Sequence, residues 1–188
     1  MNSNLQIISG MYKGRKLRRP TDARPTQNKA RIAIFNMLDN GILPRDATPV
    51  VWDAFAGSGA FGLEILSRYA GARVVFTDAA TESINVIRAN VASLNVGGRA
   101  TVHQTDAFAP ATIGAYGAAA DIIFLDPPYA MADAGRGFVE TLGDVARGGT
   151  FLIWEQDSRV AVTPNADVWE ILRDKEYGRA RFLILRRK

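Results

Sequence analysis

Carboxylates placed at the ends of apolar runs, together with one proline-aromatic turn, carry the chemistry of this chain. Asp126-Pro127-Pro128-Tyr129 follows Ile122-Ile123-Phe124-Leu125, a β-branched and aromatic run that reads as a buried strand. Neither proline can donate to a ladder or continue a helix, so the strand stops there. A carboxylate, a backbone carbonyl released from the ladder and an aromatic face therefore meet at a strand's C-terminal end. Open α/β sheets bind their ligands at that edge. Such a cluster suits a planar amino group, whose N–H bonds point at the oxygens while Tyr129 stacks on the ring. Amino groups on bases are poor nucleophiles because the lone pair is delocalised into the ring. Acceptors that draw the nitrogen toward tetrahedral geometry help it attack an electrophile. The competing reading is a turn in which proline serves only to break the strand.

A second set lies upstream. Val50-Val51-Trp52-Asp53-Ala54-Phe55 reads as a strand, Ala56-Gly57-Ser58-Gly59 as a tight loop, and Ala60 to Tyr69 as a helix. Glycines let backbone approach a ligand closely, and a helix N-terminus supplies unpaired N–H groups. Gly57-Ser58-Gly59-Ala60-Phe61-Gly62 is literally the G-x-G-x-x-G of a dinucleotide fold. Asp78, after the strand 72–77, stands at the distance of a ribose-binding acid. Asp53 favours a different ligand, because an acid just before the glycine loop suits a cation better than a pyrophosphate. S-adenosylmethionine carries an ammonium, a sulfonium and a ribose. In the alternative reading Asp78 caps the helix that begins at Thr81 and Asp53 is merely a strand-end acid.

The elements that must position these residues alternate. A helix is expected from about Gln27 to Leu38, with Thr26 as its N-cap and Ile32, Ile34, Phe35 and Leu38 as its apolar positions. The sequence then predicts strand 50–55, helix 60–69, strand 72–77, helix 81–93, strands 100–104 and 121–125, helix 136–146 and strand 150–154. A final antiparallel pair, about 168–174 and 180–186, turns at Tyr177-Gly178. Strands alternating with helices imply a parallel sheet, and the terminal hairpin adds an antiparallel strand at its edge. The small-residue stretch from Ala111 to Ala120 matches no one template.

Composition narrows the classes. With 188 residues, 47% of them hydrophobic, the chain can bury one sizeable core. It has no cysteine and one histidine, His103, so thiolate chemistry is excluded and a histidine triad or zinc site is not expected. No segment has the length of a membrane span, and Met1-Asn2-Ser3-Asn4 lacks the regions of a signal peptide. A cytoplasmic, membrane-free enzyme is the resulting expectation, and a monomer is expected beside it, although composition does not give the oligomeric state.

Charge is distributed unevenly. Residues 1–45 carry nine Lys or Arg against two acids, a net of +7, whereas residues 46–172 carry seven against fifteen, a net of −8. The last sixteen residues return to +5. The division is read as a basic extension, 1–45, and a catalytic domain, 46–188. Residues 6–20 read as a short twisted hairpin with basic faces, on which Lys13, Arg15, Lys16, Arg18 and Arg19 surround Tyr12. That pattern suits phosphate contacts and stacking on nucleic acid. A basic face that only aids solubility is the alternative.

With these motifs in order, the chain resembles the RsmD family of 16S rRNA guanine-N2 methyltransferases over nearly its whole length. The matching pieces are Ile7-Ile8-Ser9-Gly10, Lys13-Gly14-Arg15-Lys16-Leu17, Arg24-Pro25-Thr26, Phe35-Asn36-Met37-Leu38, Asp53-Ala54-Phe55-Ala56-Gly57-Ser58-Gly59, Leu66-Ser67-Arg68 and Asp126-Pro127-Pro128-Tyr129. The glycine loop, Leu66-Ser67-Arg68 and the Asp-Pro-Pro-Tyr turn recur among methyltransferases; the hairpin and the Arg-Pro-Thr helix are more specific. The resemblance implies a Rossmann-like class I fold using S-adenosylmethionine, a seven-stranded, mostly parallel sheet with an N-terminal hairpin and helix. It implies a substrate in 16S rRNA within a small-subunit assembly particle. Asp53, Phe55, Ala56, Gly57, Ser58, Gly59, Asp78, Asp106 and Thr26 form the expected cofactor set. Asp126, Pro127, Pro128 and Tyr129 form the catalytic set. Lys13, Arg15, Lys16, Arg18, Arg19 and Arg24 form the RNA set. Asp78 stands where the family favours glutamate, and either acid accepts from ribose hydroxyls.

Other readings remain at this stage. An amino-methyltransferase for another acceptor, such as adenine N6 in DNA, uses the same turn, although no separate target-recognition domain is evident. A nicotinamide oxidoreductase fits the literal glycine motif but lacks an obvious proton donor. A non-catalytic RNA-binding module would need the cofactor residues to be vestigial.

Overall fold

The computed structural model describes residues 5–21, 28–39, 41–160 and 162–188, with only the backbone of 28–30. After helix α1 (Asn28–Asp39) the chain runs β1 (Val50–Asp53), α2 (Ala60–Arg68), β2 (Arg73–Asp78), α3 (Thr81–Leu94), β3 (Ala100–Gln104), α4 (Pro110–Gly117), β4 (Ile122–Leu125), α5 (Ala132–Val145), β5 (Phe151–Asp157), β6 (Trp169–Tyr177) and β7 (Ala180–Arg187). Seven strands form one sheet in the order β3-β2-β1-β4-β5-β7-β6. Strands β1 to β5 are parallel, and β7 lies antiparallel between β5 and β6. The antiparallel strand thus sits one place in from the edge, with β6 outside it.

Alternation along each strand assigns its side chains to the two faces. Val51, Val74, Phe76, Ile122, Phe124, Ile153 and Ile184 pack with α1, α2 and α3. Trp52, Ile123, Leu125, Leu152, Trp154, Leu183 and Leu185 pack with α4 and α5 on the other face. Strands covered on both faces read as continuous apolar runs, as Ile122-Ile123-Phe124-Leu125 does. Phe61 of α2 lies between Phe35 of α1 (5.2 Å) and Phe124 of β4 (4.1 Å), both stacked.

Some element boundaries differ from expectation. Strand β5 extends to Asp157 because β7 pairs with it that far, Asp157 against Ala180. Helix α5 begins at Ala132 because a 3-10 turn at Tyr129–Met131 leads into it after Pro128. The stretch with no template is α4, whose Pro110 opens the helix, where a missing N–H costs nothing. Gly117 closes it against Leu142, which an added Cβ would meet at 2.6 Å. The predicted start of α1, with Thr26 and Gln27, and Arg24-Pro25 before it, lie outside the described residues.

The N-terminal hairpin is short, a single antiparallel bridge between Gln6 and Lys16. Its ladder stops because the next amides bond elsewhere: Ile8 N and Ser9 N donate to the Glu64 carboxylate of α2 at 2.7 and 2.9 Å. Ser67 accepts from Tyr12 N and donates to Ser9 O, and its carbonyl accepts from Met11 N. Gly10 adopts φ +83° with its Cα against this carbonyl; a Cβ there would lie 2.1 Å from Ser67 O. Ile7 and Leu17 are buried in the same cluster as Phe35 and Leu63.

Candidate active site at the carboxyl edge of the sheet

Strand order reverses between β1 and β4, since β1 pairs β2 on one side and β4 on the other. Ligand crevices in open α/β sheets form outside the carboxyl ends at such a switch point. Three of the expected acids stand there on adjacent strands: Asp78 ends β2, Asp53 ends β1, and Asp126 follows β4. Asp106 lies beyond β3 on the same edge.

The glycine loop is bound to these acids through its backbone. Gly57 (φ +54°) and Gly59 (φ +75°) hold left-handed conformations that a side chain would strain. Gly57 N donates to Asp78 Oδ2 at 2.8 Å, and Ala80 N donates to Asp78 Oδ1 at 2.9 Å. Asp78 therefore does not cap α3; its carboxylate joins the loop to the end of β2. Asp53 is 1% exposed and accepts from Gly62 N at 3.0 Å, satisfying an N–H in the first turn of α2. Gly62 has no room for a side chain, as a Cβ would meet the Phe76 ring at 2.4 Å. Burial pushes the Asp53 carboxyl up to about 7; the Gly62 N–H opposes the rise and the charge of Asp78 adds to it. A cation placed beside Asp53 would reverse that cost and favour the carboxylate.

The other cofactor candidates line the same crevice. Ala56 N donates to Thr77 O, and Thr77 Oγ1 accepts from Trp52 Nε1 and donates to Ala54 O. The Phe55 ring lies 4.8 Å from Phe108. Asp106 Oδ1 accepts from Phe108 N at 2.9 Å, fixing that ring's loop. Ser58 is held by its carbonyl, which accepts from Asn90 Nδ2 at 2.9 Å. Thr26 lies outside the described residues.

In the candidate catalytic tetrapeptide, Pro128 O accepts from Met131 N at 2.8 Å and Tyr129 is held by side chains. Pro127 is buried near Gly135 and Trp154; an added Cβ at Gly135 would lie 3.6 Å from both. Pro128 is exposed and Asp126 half-buried. Tyr129 Oη donates to Glu155 Oε1 at 3.1 Å, and the Arg179 guanidinium lies over its ring at 5.1 Å. Arg179 is in turn oriented by Asp157, at 2.7 and 2.9 Å. The guanidiniums of Arg159 and Arg179 hold the Asp157 carboxyl well below the usual range.

A family model described as Conserved hypothetical protein 95 matches residues 5–186. Ribosomal RNA small subunit methyltransferase D of Escherichia coli K12 is 31% identical over 192 residues, spanning all of this chain and 92% of that protein. The chain belongs to the RsmD family. Among solved structures, a putative methyltransferase, yhhF, from Escherichia coli superimposes with a TM-score of 0.80 at 29% identity, over 97% of each chain. An RNA methyltransferase from Salinibacter ruber, solved with S-adenosyl-L-homocysteine, shares the fold at a TM-score of 0.64 and 18% identity, over 86% of this chain and 92% of that one. The architecture is the Rossmann-like class I methyltransferase fold.

Several family motifs, far apart in sequence, meet in space. Ser9-Gly10 bonds to Ser67, and Arg68 joins Glu64 (2.8 Å) to Asp39 (2.6 Å). Of the basic residues, Lys13, Arg15, Lys16 and Arg18 are exposed and Arg19 is half-buried, whereas Arg24 lies outside the described residues. Arg15 Nη2 also donates to Ser93 O at 2.7 Å, so part of its role is to hold the segment on α3. His103 lies exposed on β3, stacked 5.6 Å from Tyr116. Glu64, Asn90, Glu155, Asp157 and Arg179 were not singled out from sequence. Glu64 left a signal, a lone acid inside the apolar helix Phe61-Gly62-Leu63-Glu64-Ile65-Leu66. The others have nothing local to mark them.

Proposed function

We propose that this chain is an S-adenosylmethionine-dependent rRNA methyltransferase that modifies the exocyclic N2 of a guanine in small-subunit 16S rRNA. The observation that carries the reading is the row of acids on β2, β1 and β4 at the switch point, with Pro127-Pro128-Tyr129 immediately beyond the third. Family membership supports the rRNA substrate.

The residues fit the cofactor. Asp78 presents a carboxylate for ribose hydroxyls beside an open backbone cradle at Gly57, where an added Cβ would meet nothing within 4 Å. Asp53 offers a buried carboxyl whose ionised form gains from a nearby ammonium or sulfonium. The Phe55 and Phe108 rings offer apolar faces for a planar base, with Asp106 as an acceptor for its amino group. When bound, the cofactor supplies a methyl group on positively charged sulfur and leaves as a neutral thioether.

The chain's own contribution is positioning and electrostatics. Asp126 and the Pro127 carbonyl hold the N2 hydrogens, and Tyr129 stacks on a base turned out of its helix. As the N2 lone pair forms the bond to carbon, the carbon–sulfur bond breaks and the nitrogen gains positive charge. Asp126 stabilises that charge, and the surplus proton then leaves to the carboxylate or to water. The basic arm, with Lys13, Lys16, Arg18 and Arg19, contacts phosphates that the acidic domain would otherwise repel. Arg24 and Thr26 are assigned to the same reading, at the RNA and the cofactor. The reaction belongs in the cytoplasm, on a small-subunit particle during assembly.

The test is nucleoside mass spectrometry of small-subunit RNA incubated with the protein and an isotopically labelled methyl donor. The expected product is N2-methylguanosine carrying the label. Labelled N6-methyladenosine in its place would overturn the guanine assignment, and no labelled nucleoside from any small-subunit substrate would overturn the reading.

A further inference from the structure

Asn90 of α3 is 1% exposed and uses both ends of its amide. Its Oδ1 accepts from Arg18 N at 2.8 Å, and because a backbone N–H can only donate, that bond fixes the orientation of the amide. Its Nδ2 donates at 2.9 Å to two carbonyls, Arg18 O and Ser58 O. One buried side chain thus joins the N-terminal arm to the glycine loop. The arm lies along α3 at three places: Arg15 Nη2 on Ser93 O, Arg18 on Asn90, and Thr21 on Glu82 Oε1. Of these three, Asn90 also reaches the loop.

We propose that Asn90 is a positioning residue that couples docking of the N-terminal arm to order in the cofactor loop. The inference rests on the reading above, in which the arm meets RNA and the loop meets S-adenosylmethionine. If the arm lifts from α3, the amide loses its partners at Arg18 and no longer has a fixed orientation at Ser58. A buried amide that loses two of its three bonds is costly, so arm and loop order together. Coupling of this kind is reciprocal: RNA that fixes the arm tightens cofactor binding, and cofactor that fixes the loop tightens the arm on α3. The enzyme would then assemble its cofactor pocket most completely on its RNA substrate.

Hydrogen–deuterium exchange of the full chain, with and without saturating S-adenosylhomocysteine, tests this. In the wild type the ligand should slow exchange in residues 15–21 by about five-fold, at the low end of ordinary coupling between sites. This comparison needs no variant. Asn90→Asp keeps the acceptor for Arg18 N but loses the donor to Arg18 O and Ser58 O, and Asn90→Ala loses all three bonds. Both variants should keep ligand-induced protection of residues 56–60 and lose it in residues 15–21. A purely structural role for Asn90 would change exchange equally with and without ligand. Bound ligand that protects the loop but not the wild-type arm would overturn the coupling, as would arm protection persisting in either folded variant. Failure of the ligand to bind at all would instead overturn the cofactor reading.

Discussion

The two halves of the proposed active-site edge, one for the cofactor and one for the target base, are built from different materials. On the β1–β2 side the carboxylates accept from backbone: Asp78 from Gly57 and Ala80, Asp53 from Gly62. On the β4–β5 side Tyr129 of the Asp-Pro-Pro-Tyr turn is oriented by side chains, with its hydroxyl on Glu155, Arg179 over the ring, and Asp157 behind Arg179. Backbone donors are fixed by the fold and bring no side-chain entropy of their own to these bonds. The proposed target half rests on side chains from β5 and the β6–β7 turn, Glu155, Asp157 and Arg179.

Substitutions should separate the halves. The largest effect is expected for Asp126→Ala: single-turnover methylation should fall by about 100-fold or more, with S-adenosylhomocysteine affinity within two-fold of wild type. Near-normal turnover would remove the carboxylate from the chemistry. Next, Asp78→Ala should weaken the cofactor by about 1.5–3 kcal/mol, or ten- to hundred-fold in Kd, by removing a charged acceptor. Calorimetry giving an unchanged Kd would move the ribose elsewhere.

Asp53 gives a smaller, pH-dependent signature. Burial raises its carboxyl to about 7 in the fold, so between about pH 4 and 7 the folded state holds a proton that the unfolded chain has released. The stability this contributes is full below about pH 4 and is lost as pH rises toward 7. Asp53→Asn should therefore raise the melting temperature of the ligand-free protein at pH 8, change it little near pH 4, and weaken cofactor binding at both. Equal shifts at the two pH values would mean that the carboxyl is ionised throughout. The smallest effect belongs to the target half. Tyr129→Phe keeps the stacking face and loses the bond to Glu155, so turnover should drop only a few-fold, about 0.5–1.5 kcal/mol. A loss as large as that of Asp126→Ala would make the hydroxyl a participant in the chemistry.

This contrast also explains what could be read from the sequence. The glycine loop and the acids beside it were legible because backbone-built features leave local marks: glycines where φ is positive, an acid at a strand end, a helix straight after. The alternation of strands and helices was legible for a similar reason, since strands covered on both faces must be apolar throughout. The supports of the target half were not, because Glu155, Asp157 and Arg179 act through pairings between β5 and the β6–β7 turn, and nothing local distinguishes them from solvated charges. The basic segment was read as a short hairpin, and Gln6 and Lys16 do pair in it. Its attachment to α2 and α3 through Glu64, Ser67 and Asn90 depends on contacts more than fifty residues apart. Strand ends shifted where pairing decided them, as β5 did, and α4 was hidden because Ala and Gly fit helix and loop alike.

The placement of β7 has a consequence for the order in which the molecule is made. It is the last strand in the chain, yet it occupies an inner position between β5 and β6. Until residues 180–187 have left the ribosome, β5 carries an unpaired edge through the apolar run Phe151-Leu152-Ile153-Trp154, and β6 has no strand to join. A nascent chain at that stage offers a hydrophobic strand edge of the kind that recruits other chains. Synthesis of the final strand covers that edge and attaches β6 in one step. The same step brings Arg179, in the turn just before β7, over the Tyr129 ring, so sheet closure and the fixing of that ring coincide.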